Sequence, residues 1–465
     1  MHKLIYHCSV RKRLFLLYCV CGFQTLHAQF HLVTQALDQL SKQTPYTKAD
    51  ISFTLLDNQE GKRLISYQSD RVLAPAATLK TFTDGTALKV LGPDFRYHTN
   101  VVFIGQIKSG IAKGLLRIDA SGDPTFGSDR FDNTKPERIK SLIVEALRKK
   151  GIQKLFGKIE VHGKVFDDSS IHSCWLDEDI GNYYGAGLYA LNWRENKFEI
   201  TLIPTKTSFV VENNTANYQN DRDFCIELIH KEDATTEEAF AFIEKGKSCP
   251  YVIRGVLSAK ESSHNMQLAR LAPAQDFVKE LKQPLQKELS YQEMAISRSG
   301  PDEKMLDIVS PPLAEMVYWC NQKSLNLYAE AFCKTIAQKL FRKANWFLGT
   351  RAMLRYASAS GLPIGASDLK DGSGLCENNR ISTALLSGLL RQFTREKFFP
   401  SFYSSLPSIN GLNMKSGYIG GTRAYAGYIT LCDSTKASFA FIIHGYSCPP
   451  RDVKLAMFRI LDLLK

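Results

Sequence analysis

The chain has 465 residues, 44% of them hydrophobic and 11% aromatic, so it can bury a large core and is long enough for two or three domains. Its net charge of +12 favours anionic surroundings, but no zinc-finger, helix-turn-helix or aromatic-basic RNA signature accompanies the charge, and nucleic-acid binding is not expected. Apolar runs of bilayer-spanning length, coiled-coil heptads, low-complexity tracts and fixed-period repeats are absent.

At the start, Lys3, Arg11, Lys12 and Arg13 precede an apolar run, Leu14 to Phe23, that ends at Leu26-His27-Ala28. This order of charge, apolar stretch and small residue predicts a secretory signal peptide over residues 1–28, and hence export across the inner membrane to the periplasm or cell envelope. The run is too short for a stable membrane anchor. Removal of the segment would leave a net charge of +8 (12 − 4) and eight cysteines: Cys174, Cys225, Cys249, Cys320, Cys333, Cys376, Cys432 and Cys448. None lies in CxxC or Cys/His spacing, so neither a metal site nor another cofactor is implied. In an oxidising compartment Cys225 and Cys249 are the first candidates to pair, by proximity.

Phe30 to Lys42 has helical periodicity, and Ile51–Leu56 followed by Leu64–Tyr67 across Asn58-Gln59-Glu60-Gly61 reads as a strand hairpin. A long helix is predicted over Ala77–Leu91, closed by Gly92-Pro93. Runs such as Val101–Ile104, Gly114–Ile118, Phe198–Ile203 and Ser208–Val211 make the middle strand-rich. Near the end, Tyr425–Leu431 and Ser438–His444 alternate as two strands, and Asp452–Leu464 is an amphipathic helix. The two ends can therefore join one five-stranded antiparallel sheet flanked by helices, an α+β domain over 29–97 and 300–465, with one or two strand-rich domains inserted over 98–299.

Two short motifs carry chemistry. Ser324-Leu325-Asn326 precedes a helix, and Lys415-Ser416-Gly417 lies on the strand ahead of the closing hairpin. A hydroxyl beside an amine can relay protons, an amide can hold a peptide, and a cationic strand edge can hold a carboxylate. Either tripeptide alone is common and uninformative. Together with their flanks they resemble the class C penicillin-binding proteins, serine-type D-alanyl-D-alanine carboxypeptidases and endopeptidases. The flanking matches are Leu327-Tyr328-Ala329-Glu330, Asp371-Gly372-Ser373-Gly374-Leu375, Gly122-Asp123-Pro124-Thr125, Leu91-Gly92-Pro93-Asp94-Phe95-Arg96 and Tyr184-Gly185-Ala186-Gly187, so the resemblance spans nearly the whole expected mature chain. The spacing of 247 residues (324 − 77) between the first and second motif positions leaves room for the large insertion of class C.

The resemblance implies a β-lactamase-like fold, peptidoglycan stem peptides and β-lactams as ligands, and roles for particular residues. Lys80 would be the general base and Ser324 the relay to the leaving group, with Asn326 holding the peptide. Lys415 and Ser416 would hold the terminal carboxylate, Gly417 and Tyr418 would line the strand edge, and Asp371 and Ser373 would form a rim of the site. The first motif should read Pro-Ala-Ser-x-x-Lys, yet the chain has Pro75-Ala76-Ala77-Thr78-Leu79-Lys80. The nucleophile position is therefore Ala77, with no hydroxyl to acylate. Thr78 is rotated about 100° around a helix from position 77, and Thr86 with Lys89 falls further along it as expected helix surface. Backbone N–H groups at Ala77 and Tyr418 would still form the oxyanion hole. Two readings follow: a peptidase in which another hydroxyl serves, and a non-catalytic wall-binding or scaffolding relative that keeps the pocket.

Overall fold

The computed structural model describes residues 28–212, 223–231, 238–244, 249–258, 260–296 and 300–465. The expected signal peptide lies, but for Ala28, outside the described residues. The chain divides into two compact units, one made of residues up to Thr86 with Met353–Leu369 and Glu377–Lys465, the other of Ala87–Ala352 with Lys370–Cys376.

The first unit is built on a sheet that joins both ends of the chain. Its strands are β1 (Asp50–Asp57), β2 (Arg63–Tyr67), β16 (Ser408–Ile409), β17 (Leu412–Ile419), β18 (Thr422–Thr430) and β19 (Lys436–His444), in the order β16-β17-β18-β19-β1-β2. All neighbours are antiparallel, and β1 meets β19 in the register Asp50↔His444 to Asp57↔Ala437. The expected five strands are thus present, with two-residue β16 as a sixth, and a separate antiparallel pair joins β3 (Val72–Leu73) to β15 (Ile381–Ser382). β1 buries six consecutive residues because both of its faces are covered. On one face helix α1 (28–42) and the terminal helix α10 (Pro450–Asp462) bring Val33, Leu37, Val453, Met457 and Leu461 onto Phe53, Phe439 and Phe441. On the other face lies α8 (Thr383–Phe393), capped by Ser382, whose Oγ accepts from Leu385 N at 3.1 Å. Its Thr383 hydroxyl lies 2.7 Å from Ser52 Oγ and 2.8 Å from Thr54 Oγ1, which satisfies three buried hydroxyls at the helix–sheet seam.

In the second unit a five-stranded sheet has the order β13-β6-β5-β4-β14, from β4 (His98–Lys108), β5 (Ile111–Asp119), β6 (Lys154–His162), β13 (Gln292–Glu293) and β14 (Asp302–Val309). Helices α3 (Pro136–Lys149) and α4 (Pro273–Leu289) cover it through Ile139, Ile143, Leu147, Phe277, Leu281 and Leu285. Two three-stranded sheets follow, β12-β7-β8 and β10-β11-β9, formed by β7 (Lys197–Pro204), β8 (Phe209–Glu212), β9 (Phe224–Lys231), β10 (Glu238–Ile243), β11 (Tyr251–Ser258) and β12 (His264–Ala269). They share a core around Phe198, Ile200, Tyr251 and Ile253, and the Cys225–Cys249 disulfide joins β9 to the segment before β11.

The middle of the chain therefore carries strands where alternation predicts them, and also two long helices that a strand-rich reading omits. α4 contains Pro284 in its interior, a residue that argues against a helix in sequence. The compact units divide at 86/87, 352/353, 369/370 and 376/377, where sequence placed 97/98 and 299/300. One cause is visible in the pairing: β14 lies against β4, which draws residues beyond 300 into the second unit. None of the described helices is long and apolar enough to cross a membrane.

Candidate functional site

The motif residues fall on both units. In the first, the nucleophile position opens a tight turn. Ala76–Thr78 is a 3-10 turn that runs into helix α2 (Leu79–Leu91). Pro75 O accepts from Thr78 N at 3.3 Å and from Thr78 Oγ1 at 2.6 Å. Ala76 has φ +48, a left-handed conformation that a residue with a Cβ seldom adopts and that tertiary structure must hold in place. Ala77 is half-exposed between buried Ala76 and Thr78, so the turn presents this one position outward. Thr78 faces inward with its hydroxyl engaged, as the helical geometry predicts. Thr86, expected on the helix surface, is instead fully buried, because α2 is covered along most of its length.

Lys80 follows one turn after Ala77 and is fully buried. β17 passes directly against the same turn: a Cβ on Gly417 would lie 2.9 Å from both Ala77 N and Pro75 O. Only glycine permits that approach, and it brings the Ala77 N–H beside the strand one residue before Tyr418. Lys415 is buried on this strand, its ammonium donating to Ser416 O at 3.1 Å, while Ser416 is half-buried. Tyr418 is 55% exposed, with the Arg423 guanidinium 5.6 Å from its ring centroid. The first unit thus brings together Ala77, Lys80, Lys415, Ser416, Gly417 and Tyr418 on two elements in contact.

In the second unit Ser324 ends α5 (Leu313–Lys323) in the left-handed conformation (φ 55, ψ 46), and Asn326 begins α6 (Asn326–Phe341). This sharp junction leaves both side chains half-exposed. Asn326 Nδ2 donates to Tyr184 O at 2.7 Å, which ties the motif to the Tyr184-Gly185-Ala186-Gly187 segment.

Asp371 and Ser373 are fully buried and build their loop from within. Asp371 accepts from Trp175 Nε1 at 3.0 Å, Gly374 N at 2.9 Å and Cys376 N at 2.7 Å, and Ser373 Oγ accepts from Leu375 N at 3.2 Å. These contacts account for both side chains as scaffolding of a loop whose residues 371–376 are all buried, so neither side chain lies on a rim. Sequence reasoning assigned no role to Glu330, which holds the loop from α6. Its carboxylate accepts from Gly372 N at 2.9 Å, Ser373 N at 2.8 Å and Trp346 Nε1 at 2.7 Å. Burial first, and then the Asp371 carboxylate, push Glu330 up to about 7. Beside this cluster fully buried Lys334 donates to Asp168 Oδ1 at 2.5 Å and lies 3.3 Å from the Trp346 ring centroid. A Cys174–Cys376 disulfide closes the loop's far end. Among the described residues no group of His, Cys, Asp and Glu side chains is arranged to hold a metal ion.

The model of the D-Ala-D-Ala carboxypeptidase 3 (S13) family matches residues 33–413. The chain is 22% identical over 453 residues to D-alanyl-D-alanine carboxypeptidase DacB of Haemophilus influenzae, covering 92% of each chain. It is 21% identical to the D-alanyl-D-alanine carboxypeptidase of Actinomadura sp. R39, covering 85% of this chain and 78% of that one. Among solved structures, penicillin binding protein 4 (dacB) from Haemophilus influenzae superposes with a TM-score of 0.74 at 19% identity, covering 89% of this chain and 95% of the other. Its complex with a novel β-lactam gives a TM-score of 0.72 at the same identity, with 93% and 99% covered. These likenesses show the fold.

Proposed function

Because the chain belongs to the D-Ala-D-Ala carboxypeptidase 3 (S13) family, we propose that it acts on peptidoglycan stem peptides ending in D-alanyl-D-alanine, and takes β-lactams as mimics of that end. The observation that carries this is the close approach of Gly417 to the Ala77 turn, which presents the Ala77 N–H beside the Lys415-Ser416-Gly417 strand. That N–H and the Tyr418 N–H are the donors for the carbonyl oxygen of the scissile bond. Lys415 and Ser416 hold the terminal carboxylate and Asn326 holds the stem peptide. In the peptidase reading a hydroxyl from a residue other than 77 attacks the penultimate D-alanine carbonyl as Lys80 takes its proton, Ser324 passes that proton to the departing D-alanine, and water then releases the acyl group. Export to the cell envelope, read from residues 1–28, would place the protein with this substrate.

Ala77 raises a second reading. Its methyl cannot attack a carbonyl, and loss of the nucleophile from such a unit costs roughly a million-fold in turnover. Thr78 is turned inward and cannot replace it. In this reading the protein binds the stem peptide and β-lactams without a covalent step. Calorimetric titration with a synthetic stem pentapeptide ending in D-alanyl-D-alanine tests the shared claim. Saturable binding that weakens about tenfold or more in Lys415→Ala, and for a peptide ending in L-alanine, is expected. Absence of binding to either peptide would sink both readings. Release of D-alanine in the same samples separates the peptidase from the binder.

A further inference from the structure

The first unit contains a cleft of about 950 Å³ that the peptidase chemistry does not use. Its lining comes from β17, β18, the β1–β2 and β18–β19 turns, helix α9 (Phe399–Ser405) and the C-terminal residue. Three aromatic rings meet there: Phe399 and Tyr403 at 5.6 Å, Phe399 and Tyr428 at 5.4 Å, and Tyr403 and Tyr428 at 5.5 Å between centroids. Tyr428 is buried, its hydroxyl donating to Leu390 O at 2.8 Å, whereas Tyr403 is 39% exposed.

Two amides accompany the rings. Asn413 Oδ1 accepts from Tyr403 OH at 3.2 Å, and Asn58 Oδ1 accepts from Ser438 Oγ at 2.5 Å. Each carbonyl is therefore committed, and each NH2 group is left as a donor at the cleft. The charges on the lining cancel, with Asp57 and Asp433 against Lys436 and Lys465. Both carboxylates are occupied in turns, Asp57 by Gln59 N and Glu60 N, Asp433 by Thr435 N and Oγ1. Such a lining does not select a charged ligand. It matches a neutral one with C–H faces for an aromatic ring and carbonyl or hydroxyl oxygens for amide donors.

The cleft also has a direction. Asn413 and Lys415 share one face of β17, two residues or about 7 Å apart along the strand. We propose that the cleft is a saccharide subsite that takes an N-acetylated amino-sugar segment of a glycan strand, stacked on Tyr403 and hydrogen-bonded by Asn413 and Asn58. The proposal rests on the peptidoglycan reading above, which makes the substrate a polymer with sugar attached to its stem peptides.

The test is calorimetric titration of the whole protein with tetra-N-acetylchitotetraose, in parallel with the stem pentapeptide. Saturable sugar binding is expected, weakened about tenfold or more in Tyr403→Ala and in Asn413→Ala, and retained within about threefold in Tyr403→Phe, which keeps the ring. The Phe variant separates loss of stacking from misfolding. No heat with the sugar, or equal affinity in Tyr403→Ala and the parent, overturns the proposal. If the sugar fails while the peptide binds, only the subsite is refuted; if the peptide fails while the sugar binds in a Tyr403-dependent way, the subsite stands and the stem-peptide reading falls.

Discussion

At position 77 the difference between an acylating protein and a binder is one oxygen atom. Around that position stand the left-handed Ala76, the inward Thr78, buried Lys80 and the glycine that lets β17 approach. Gly417→Ala would set a methyl 2.9 Å from Ala77 N and Pro75 O, so the strand or the turn must move. We expect a loss of about 1–3 kcal/mol in denaturant unfolding and a several-fold weaker affinity for the stem pentapeptide. A variant as stable and as tight-binding as the parent would mean that the approach is dispensable. Glu330 gives a prediction in pH. Its pKa rises from 4.5 in the unfolded chain to about 7 when folded, so folding takes up a proton between those values. The stability it contributes is complete below about pH 4.5 and falls as pH rises through 7. The unfolding free energy of the parent should therefore drop by about 2–3 kcal/mol relative to Glu330→Gln between about pH 5 and pH 8. Parallel curves would contradict a proton held at Glu330.

Among the elements, the Asp371 loop is the most over-determined piece of the second unit. Trp175 Nε1 and the Gly374 and Cys376 N–H groups hold the Asp371 carboxylate, Glu330 accepts from the Gly372 and Ser373 N–H groups and from Trp346, and Cys174–Cys376 fastens the loop's end. The disulfide bridges 202 residues of sequence, and restraint of so long a loop in the unfolded chain is worth up to about 5 kcal/mol. The double variant Cys174→Ser/Cys376→Ser should lower the thermal midpoint of the second unit by several degrees, read by calorimetry under non-reducing conditions; an unchanged midpoint would rule out a stabilising role for the bond. Elements differ in how plainly the sequence announces them. The β1–β2 and β18–β19 hairpins, α1, α2 and the terminal helix follow from periodicity and turn residues. Helix α3 carries the same periodicity in Ile139, Ile143 and Leu147 but lies among strand-like runs, and α4 is disguised by Pro284. Cys225–Cys249, 24 residues apart, is legible by proximity, whereas Cys174–Cys376 is not, because nothing local reports a contact across 202 residues.

For the molecule as a whole, sequence names candidate site residues where they stand in short motifs and is silent where folding gathers single residues from far apart. Lys80, Ser324, Asn326 and Lys415 are named as candidates by short motifs together with their flanks and the family resemblance these carry. Glu330 stands inside a matched motif, yet its function as the clamp of the Asp371 loop appears only when Gly372 and Ser373 N–H are seen to point at it. The cleft near Tyr403 has no sequence signature at all, because sheet order places residues near 58, 403, 413 and 433 on one surface. The net charge, +12 for the whole chain and +8 for the expected mature one, carries a prediction at this scale: binding to isolated cell-wall sacculi should weaken between about 50 mM and 500 mM salt, as screening removes long-range attraction. Salt-independent retention would assign the binding to short-range contacts. The most direct test of the account is incubation of the purified protein and its Ala77→Ser variant with a fluorescent penicillin, followed by a denaturing gel and intact mass. The account predicts no covalent label on the parent and one penicillin added to the variant, at residue 77. A label on the parent would show that another hydroxyl acts, and an unlabelled, folded variant would show that the catalytic arrangement around position 77 is not retained.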